Sequence, residues 1–185
     1  MRVIAGSARR LKLITPEGND TRPTQDRIKE TLFNMIQLQV PGAVFVDLFS
    51  GSGGIGIEAL SRGAKKAYFI ENAAAAVKCI NANLKTTHFE EVATVLKQDV
   101  VMGLRNIHEQ EADIIFMDPP YHEDLYERTL SQLSGMDYVT ENTMIIVESA
   151  LDMDFSFVEA MGFEVRREKE YKSNKHVFIY RKETT

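Results

Sequence analysis

The sequence predicts an α/β protein with a doubly wound, mostly parallel sheet, and three observations carry that prediction. From residue 43 onward, short apolar segments rich in Val, Ile and Phe alternate with stretches of helical periodicity. The first such segment runs into a glycine-rich turn, "DLFSGSGGIG" at 47–56, of the kind that joins a strand to a helix. The chain then closes with two longer strand-like segments around "KSNK", which read as an antiparallel hairpin at the sheet edge.

The elements follow in order. "RVIAG" and "RLKLITP" read as a small β-hairpin across Gly6 and Ser7. "EGNDTRP" is a loop. "TQDRIKETLFNMIQ" places Ile28, Leu32, Phe33, Met35 and Ile36 at helical spacing, with Thr24 as N-cap and Lys29 facing outward. Strands are predicted at "AVFVD", "KAYFIE", "VATVLKQ", "ADIIFMD" and "TMIIVES". Helices are predicted at 54–63, 73–86, 99–108, 124–133 and 154–161. With the closing hairpin the sheet has seven strands. The division predicted is 1–40, a hairpin and helix covering the site, and 41–185, the main α/β domain.

Ligands of such sheets bind beyond the carboxyl ends of the strands. The first four strands end at Asp47, Glu71, Gln98-Asp99 and Asp118, a polar rim along one edge. Gly51, Gly53 and Gly56 fit the dinucleotide pattern G-x-G-x-x-G. Asp47 at the start of that loop, however, would repel a pyrophosphate and attract an ammonium or sulfonium, and S-adenosylmethionine carries both without a phosphate. No Gly-Lys-Ser/Thr follows, so a Walker loop is excluded. Glu71 is placed to accept from a ribose diol, and Asp99 either from an adenine amine or, as an N-cap, from its own helix. Phe49 packs on the ligand or in the core.

"DPPY" at 118–121 bears on the chemistry. Proline has no N–H, so Pro119 and Pro120 leave carbonyls without a local donor. The Asp118 carboxylate and the Pro119 carbonyl can grip the two hydrogens of an exocyclic amine, while Tyr121 stacks on the base, a contact worth ~1–3 kcal/mol. Holding the amine in line with a methyl donor is catalysis by positioning and electrostatics. The bland alternatives are a rigid turn after a strand and, for Glu58 and Arg62, a helix-surface ion pair at i, i+4.

The motifs "DLFSGSGGIGIEALSRGA" and "DPPY" resemble the class I S-adenosylmethionine-dependent amino-methyltransferases, whose fold is Rossmann-like. "MRVIAG", "RPTQDRIKETLFN" and "YKSNKHVFIY" resemble, more narrowly, the RsmD family of 16S rRNA guanine-N2 methyltransferases, over essentially the full chain. The resemblance implies S-adenosylmethionine as cofactor, with contacts at Asp47, Gly51, Gly53, Glu71, Asn72, Gln98 and Asp99, and an active site at Asp118, Pro119, Pro120 and Tyr121. It implies that Arg22, Thr24 and Arg27 border the cofactor and incoming base, and that RNA lies over Arg9, Arg10, Lys172 and Lys175. The expected partner is 16S rRNA in a pre-assembled small-subunit particle.

Composition agrees with this expectation. The net charge is −5, yet residues 1–30 hold seven Lys/Arg against four Asp/Glu, and 165–182 seven against two. Basic ends on an acidic body suit an anionic partner. Cys79 is the single cysteine and the four histidines are scattered, so neither a disulfide nor a metal site is expected. No apolar run reaches ~18 residues and no signal core appears at the N-terminus, so a cytoplasmic protein is expected, a monomer by default. An amino-methyltransferase acting on a DNA base or a protein glutamine, and a non-catalytic RNA-binding module, stay open. A nicotinamide dehydrogenase would give DPPY no role.

Overall fold

The computed structural model describes residues 1–17, 23–120 and 123–183, with the side chains of Pro23, Thr24 and Glu123 left aside. Seven strands form one sheet in the order β3-β2-β1-β4-β5-β7-β6. They are β1 (Val44–Leu48), β2 (Lys66–Ile70), β3 (Ala93–Leu96), β4 (Ile114–Met117), β5 (Met144–Ala150), β6 (Phe163–Glu170) and β7 (Asn174–Arg181). The first five pair in parallel, and β7 then pairs antiparallel with both β5 and β6. The order reverses between β1 and β4, which is where such sheets open a crevice for ligands.

Among the described residues five α-helices cover the two faces: α1 (Pro23–Met35), α2 (Gly54–Ser61), α3 (Ala74–Thr87), α4 (Val100–Arg105) and α5 (Glu123–Ser134). Strand alternation sorts the core. Phe45, Phe69, Phe116, Ile146 and Phe178 point to the face holding α1, α2 and α3, where they meet Phe33, Ile57 and Ile80. Val46, Ile70, Ile115, Met117 and Val147 point to the opposite face, against Leu104 of α4 and Leu130 and Leu133 of α5. Apolar side chains on both faces of each central strand are what a covered parallel sheet requires. Among the described residues no helix is long and apolar enough to cross a membrane.

Several expected elements change form. The N-terminal hairpin reduces to a single antiparallel bridge, Arg2 with Lys12. Its first segment spends its amides elsewhere: Ile4 and Ala5 donate to the two Glu58 oxygens, Ser7 to the Ser61 carbonyl and Ala8 to the Ser61 hydroxyl. Val3, Leu13, Leu32 and Phe33 share one buried cluster with the sheet, so the described residues of 1–40 pack onto the same core as the rest. Helix α4 stops at Arg105, because the Asn106 amide folds back onto the Met102 carbonyl and the Gln98 side chain. The segment expected as a helix at 154–161 is a 3-10 turn over Ser156–Met161, ended by Gly162 at φ 81°.

Candidate active site

The site lies at the C-terminal ends of β1, β2, β4 and β5. After β1 the chain turns through Phe49 and Gly51, both in the left-handed region at φ 57° and 56°. Phe49 is strained there, since a side chain disfavours that conformation. The space that a Cβ of Gly51 would occupy is open. Gly56 has the opposite constraint, because a Cβ there would come within 2.4 Å of the Phe69 ring. That absence lets α2 lie directly on β2.

Two carboxylates hold this loop. Asp47 is 1% exposed, and its Oδ2 accepts the Gly56 N–H at 3.0 Å. Burial raises its pKa well above the usual carboxylate range; the Gly56 bond opposes this, and the nearby Asp118 and Glu71 charges add to it. Glu71 accepts from Gly51 N–H through Oε2 and from Ala73 N–H through Oε1, each at 2.9 Å. Beside it Phe49, Ile70, Glu71, Asn72, Gln98 and Val100 line a narrow cleft. The apolar lining, with a carboxylate and carboxamides at its rim, offers the kind of contacts an adenosine group uses, in a cleft that is closed down in this structure. Asp99 takes the capping role, accepting Met102 N–H at 3.0 Å, with Arg128 3.8 Å from its other oxygen.

At the end of β4, Asp118 is open to solvent on one side and accepts no hydrogen bond among the described residues. The protein packed around the rest of its carboxyl, and the Glu148 charge, raise its pKa to about 7. Pro119 is buried and Pro120 exposed, while Tyr121 lies outside the described residues. Sequence reasoning overlooked the group next to Asp118. Glu148 Oε1 accepts from the Asn174 amide at 2.6 Å, and Glu148 Oε2 lies 2.9 Å from His176 Nε2. His176 is 1% exposed, and its Nδ1 lies 2.9 Å from the Tyr171 hydroxyl. The segment "TMIIVES" carries that glutamate one residue before its end, so the search of strand ends extended to β5 would have come upon it.

The basic residues divide. Arg2, Arg9, Arg10 and Arg27 line a cleft of about 510 Å³ with Asp26 and Glu30 at its edge. Arg22 and the Thr24 side chain lie outside the described residues. Lys172 is exposed in the β6–β7 turn. Lys175, expected at the RNA, is instead 5% exposed, 3.3 Å from Glu168, with Nζ over the Phe155 ring. It sits on an inward position of β7 and offers little to a phosphate. Lys29, expected to face outward, is buried: Nζ donates to the Arg2 carbonyl at 2.7 Å and lies 3.7 Å from Glu58. Burial lowers its pKa, opposed by Glu58. Glu58, read as half of a surface ion pair, is fully buried and holds Arg62 at 2.9 Å as well as the N-terminal amides. The covering segment, invisible to an i, i+4 pattern, turns that surface into an interior.

Comparison with known proteins identifies the group to which this arrangement belongs. The model of the family described as conserved hypothetical protein 95, the RsmD family, matches residues 1–181. The chain belongs to the RsmD family. Two relatives named ribosomal RNA small subunit methyltransferase D are similar to it. The Haemophilus influenzae protein is 38% identical, over 82% of this chain and 80% of the relative, and the Escherichia coli protein 34% identical, over 91% and 84%. A solved Escherichia coli structure, described as a methyltransferase candidate, yhhF, superposes with a TM-score of 0.85 at 33% identity, covering 98% of each chain. The fold is that of the class I methyltransferases, and this RsmD-family chain is a methyltransferase. The RsmD match spans the N-terminal segment as well as the sheet, in line with their shared core.

Proposed function

We propose that the protein methylates the exocyclic N2 of one guanine in 16S rRNA, using S-adenosylmethionine. The observation that carries this reading is Asp118: a carboxylate at the mouth of the strand-end crevice, without a hydrogen bond among the described residues, followed by two prolines. Such a group is arranged to accept N–H hydrogens from a ligand. The names of the relatives favour small-subunit rRNA as the substrate.

S-adenosylmethionine, when bound, supplies an electrophilic methyl group on a sulfonium. On the cofactor side of the rim, Asp47 and Glu71 leave no room for a pyrophosphate's charge beside the glycine loop. Glu71 and the cleft beside Phe49 would hold its adenosine, and Asp47 acts mainly by fixing the loop through Gly56. For the target base to reach Asp118 it must leave its stack. Asp118 and the Pro119 carbonyl then hold the two amine hydrogens, and Tyr121 covers the ring. Methylation would break the sulfonium S–CH3 bond and leave neutral S-adenosylhomocysteine; N2 would become positive, and Asp118 would take one of its protons. With a pKa of about 7, Asp118 is matched to that transfer near neutral pH.

The N-terminal residues 1–40 cover the base side, and the arginine cleft of Arg9, Arg10 and Arg27 takes RNA phosphates, with Lys172 reaching from the hairpin turn. Binding therefore weakens as salt rises. The small basic area suits a pre-assembled particle in which ribosomal proteins add contacts. A cytoplasmic monomer accords with that substrate.

The test is nucleoside mass mapping of rRNA from cells lacking the gene, with and without the protein restored. Loss and return of a single N2-methylguanosine supports the reading. A change in methyladenosine or methylcytidine alone contradicts it.

A further inference from the structure

We propose that Glu148 reads the N1–H of the target base, and thereby selects the amine of guanine over those of adenine and cytosine. This rests on the guanine-N2 reading above and names the residue that would make it specific.

Sheet register places the group. β4 and β5 pair Met117 with Val147, so Asp118, the next residue, lies beside Glu148. β5 and β7 pair Glu148 with His176. Phe116, Ile146 and Phe178 share one buried cluster, and two-residue alternation then puts Asp118, Glu148 and His176 on that same face, in a row across the sheet. Neighbouring strands lie about 4.8 Å apart, so the carboxylates of Asp118 and Glu148 face one ligand side by side.

Glu148 is held in place and still open. Asn174 donates to one oxygen and His176 bonds the other, while Tyr171 bonds the far nitrogen of the His176 ring. Protonation at Nε2, with the Tyr171 hydroxyl donating to Nδ1, satisfies all of these contacts with one ring proton. The Glu148 side chain is 23% exposed, whereas His176 is sealed at 1%. Each carboxylate oxygen carries a further lone pair, so Glu148 retains capacity to accept from a ligand.

Base chemistry supplies the selectivity. In guanine the exocyclic amine is flanked by N1–H, a donor. In adenine the amine is flanked by N1 and in cytosine by N3, both acceptors. A carboxylate beside the amine-gripping Asp118 attracts the guanine edge. It sets lone pair against lone pair for the other two.

The experiment uses the full-length protein and small-subunit rRNA whose mapped target position carries either guanine or 2-aminopurine. The analogue keeps the 2-amino group but has an acceptor at N1. Wild type is expected to prefer guanine by about 10- to 100-fold in kcat/KM, the weight of a hydrogen bond to a charged group. In Glu148→Gln that preference falls to near unity, because the amide can donate to N1, while S-adenosylhomocysteine affinity is retained. A merely structural role would lower both rates and leave the ratio unchanged, and an unchanged ratio overturns the proposal. Equal wild-type rates on the two RNAs overturn it too. Should the variant lose S-adenosylhomocysteine binding or turnover on both RNAs, the wild-type ratio decides alone. Failure of the guanine reading is seen separately, as no N2-methylguanosine on the guanine RNA, and removes both.

Discussion

On the β1–β2–β3 side of the rim, Asp47, Glu71 and Asp99 each accept backbone N–H groups, from Gly56, from Gly51 and Ala73, and from Met102. On the β4–β5–β7 side, Asp118 accepts none among the described residues, and Glu148 is held by the side chains of Asn174 and His176. Carboxylates of the first kind are bound into the local chain and shape loops. The second side keeps accepting capacity for a ligand, at the cost of placing two carboxylates together. Burial and that placement together raise the pKa at Asp118, and the proposed division of labour between holding a cofactor and gripping an amine rests on this contrast.

The sharpest way to break this division is Asp118→Ala. Methyl transfer is expected to fall about 100- to 1,000-fold, in the range seen when an electrostatic partner of a transition state is removed. S-adenosylhomocysteine affinity, read by calorimetry, should change little. Next in size is Glu58→Ala, which touches neither side directly. It leaves Lys29 and Arg62 without their buried partner and the Ile4 and Ala5 amides without acceptors, so denaturant titration should show a loss of about 3–5 kcal/mol. A loss near zero would mean that the N-terminal segment is not tied down through this residue.

Glu71→Ala sharpens the comparison from the cofactor side. It frees Gly51 and Ala73 and removes the proposed ribose acceptor, so S-adenosylhomocysteine should bind about 10- to 100-fold more weakly, with turnover largely kept at saturating cofactor. The smallest effect is in the pH profile. The Asp118 pKa is raised, so the group is protonated below about 7 and ionised above it, and kcat/KM should rise through that pH as the acceptor forms. The same shift has a sign for stability. The folded state binds this proton more tightly than the unfolded chain, so stability falls as pH rises from the ordinary carboxylate range to about 7. Asp118→Asn should remove that slope, as melting curves across pH would show.

How much of this was legible in the sequence differs by region. The strands were readable because runs such as "AVFVD" and "ADIIFMD" are apolar, β-branched and short. The positions of Asp47, Glu71 and Asp118 at strand ends followed directly. Glu58, Lys29 and Lys175 were misread because each looks solvent-facing from its own helix or strand. Their burial comes from other segments of the chain, as when Lys29 meets Arg2, Glu58 meets Ile4 and Lys175 meets Phe155. Helical periodicity cannot register a covering segment. The Glu148–His176 pair needs the β5–β7 register, which no local pattern fixes. The N-terminal hairpin formed only in part for a related reason: Val3 and Leu13 pair with the Leu11 and Met1 carbonyls, but the Ile4, Ala5 and Ala8 amides go to acceptors on α2.

The central claim is tested most directly by single-turnover methyl transfer to small-subunit rRNA at saturating S-adenosylmethionine, with Asp118→Ala and Glu71→Ala side by side. The account predicts near-normal N2-methylguanosine formation by the Glu71 variant and almost none by the Asp118 variant. Near-normal formation by the Asp118 variant would contradict it.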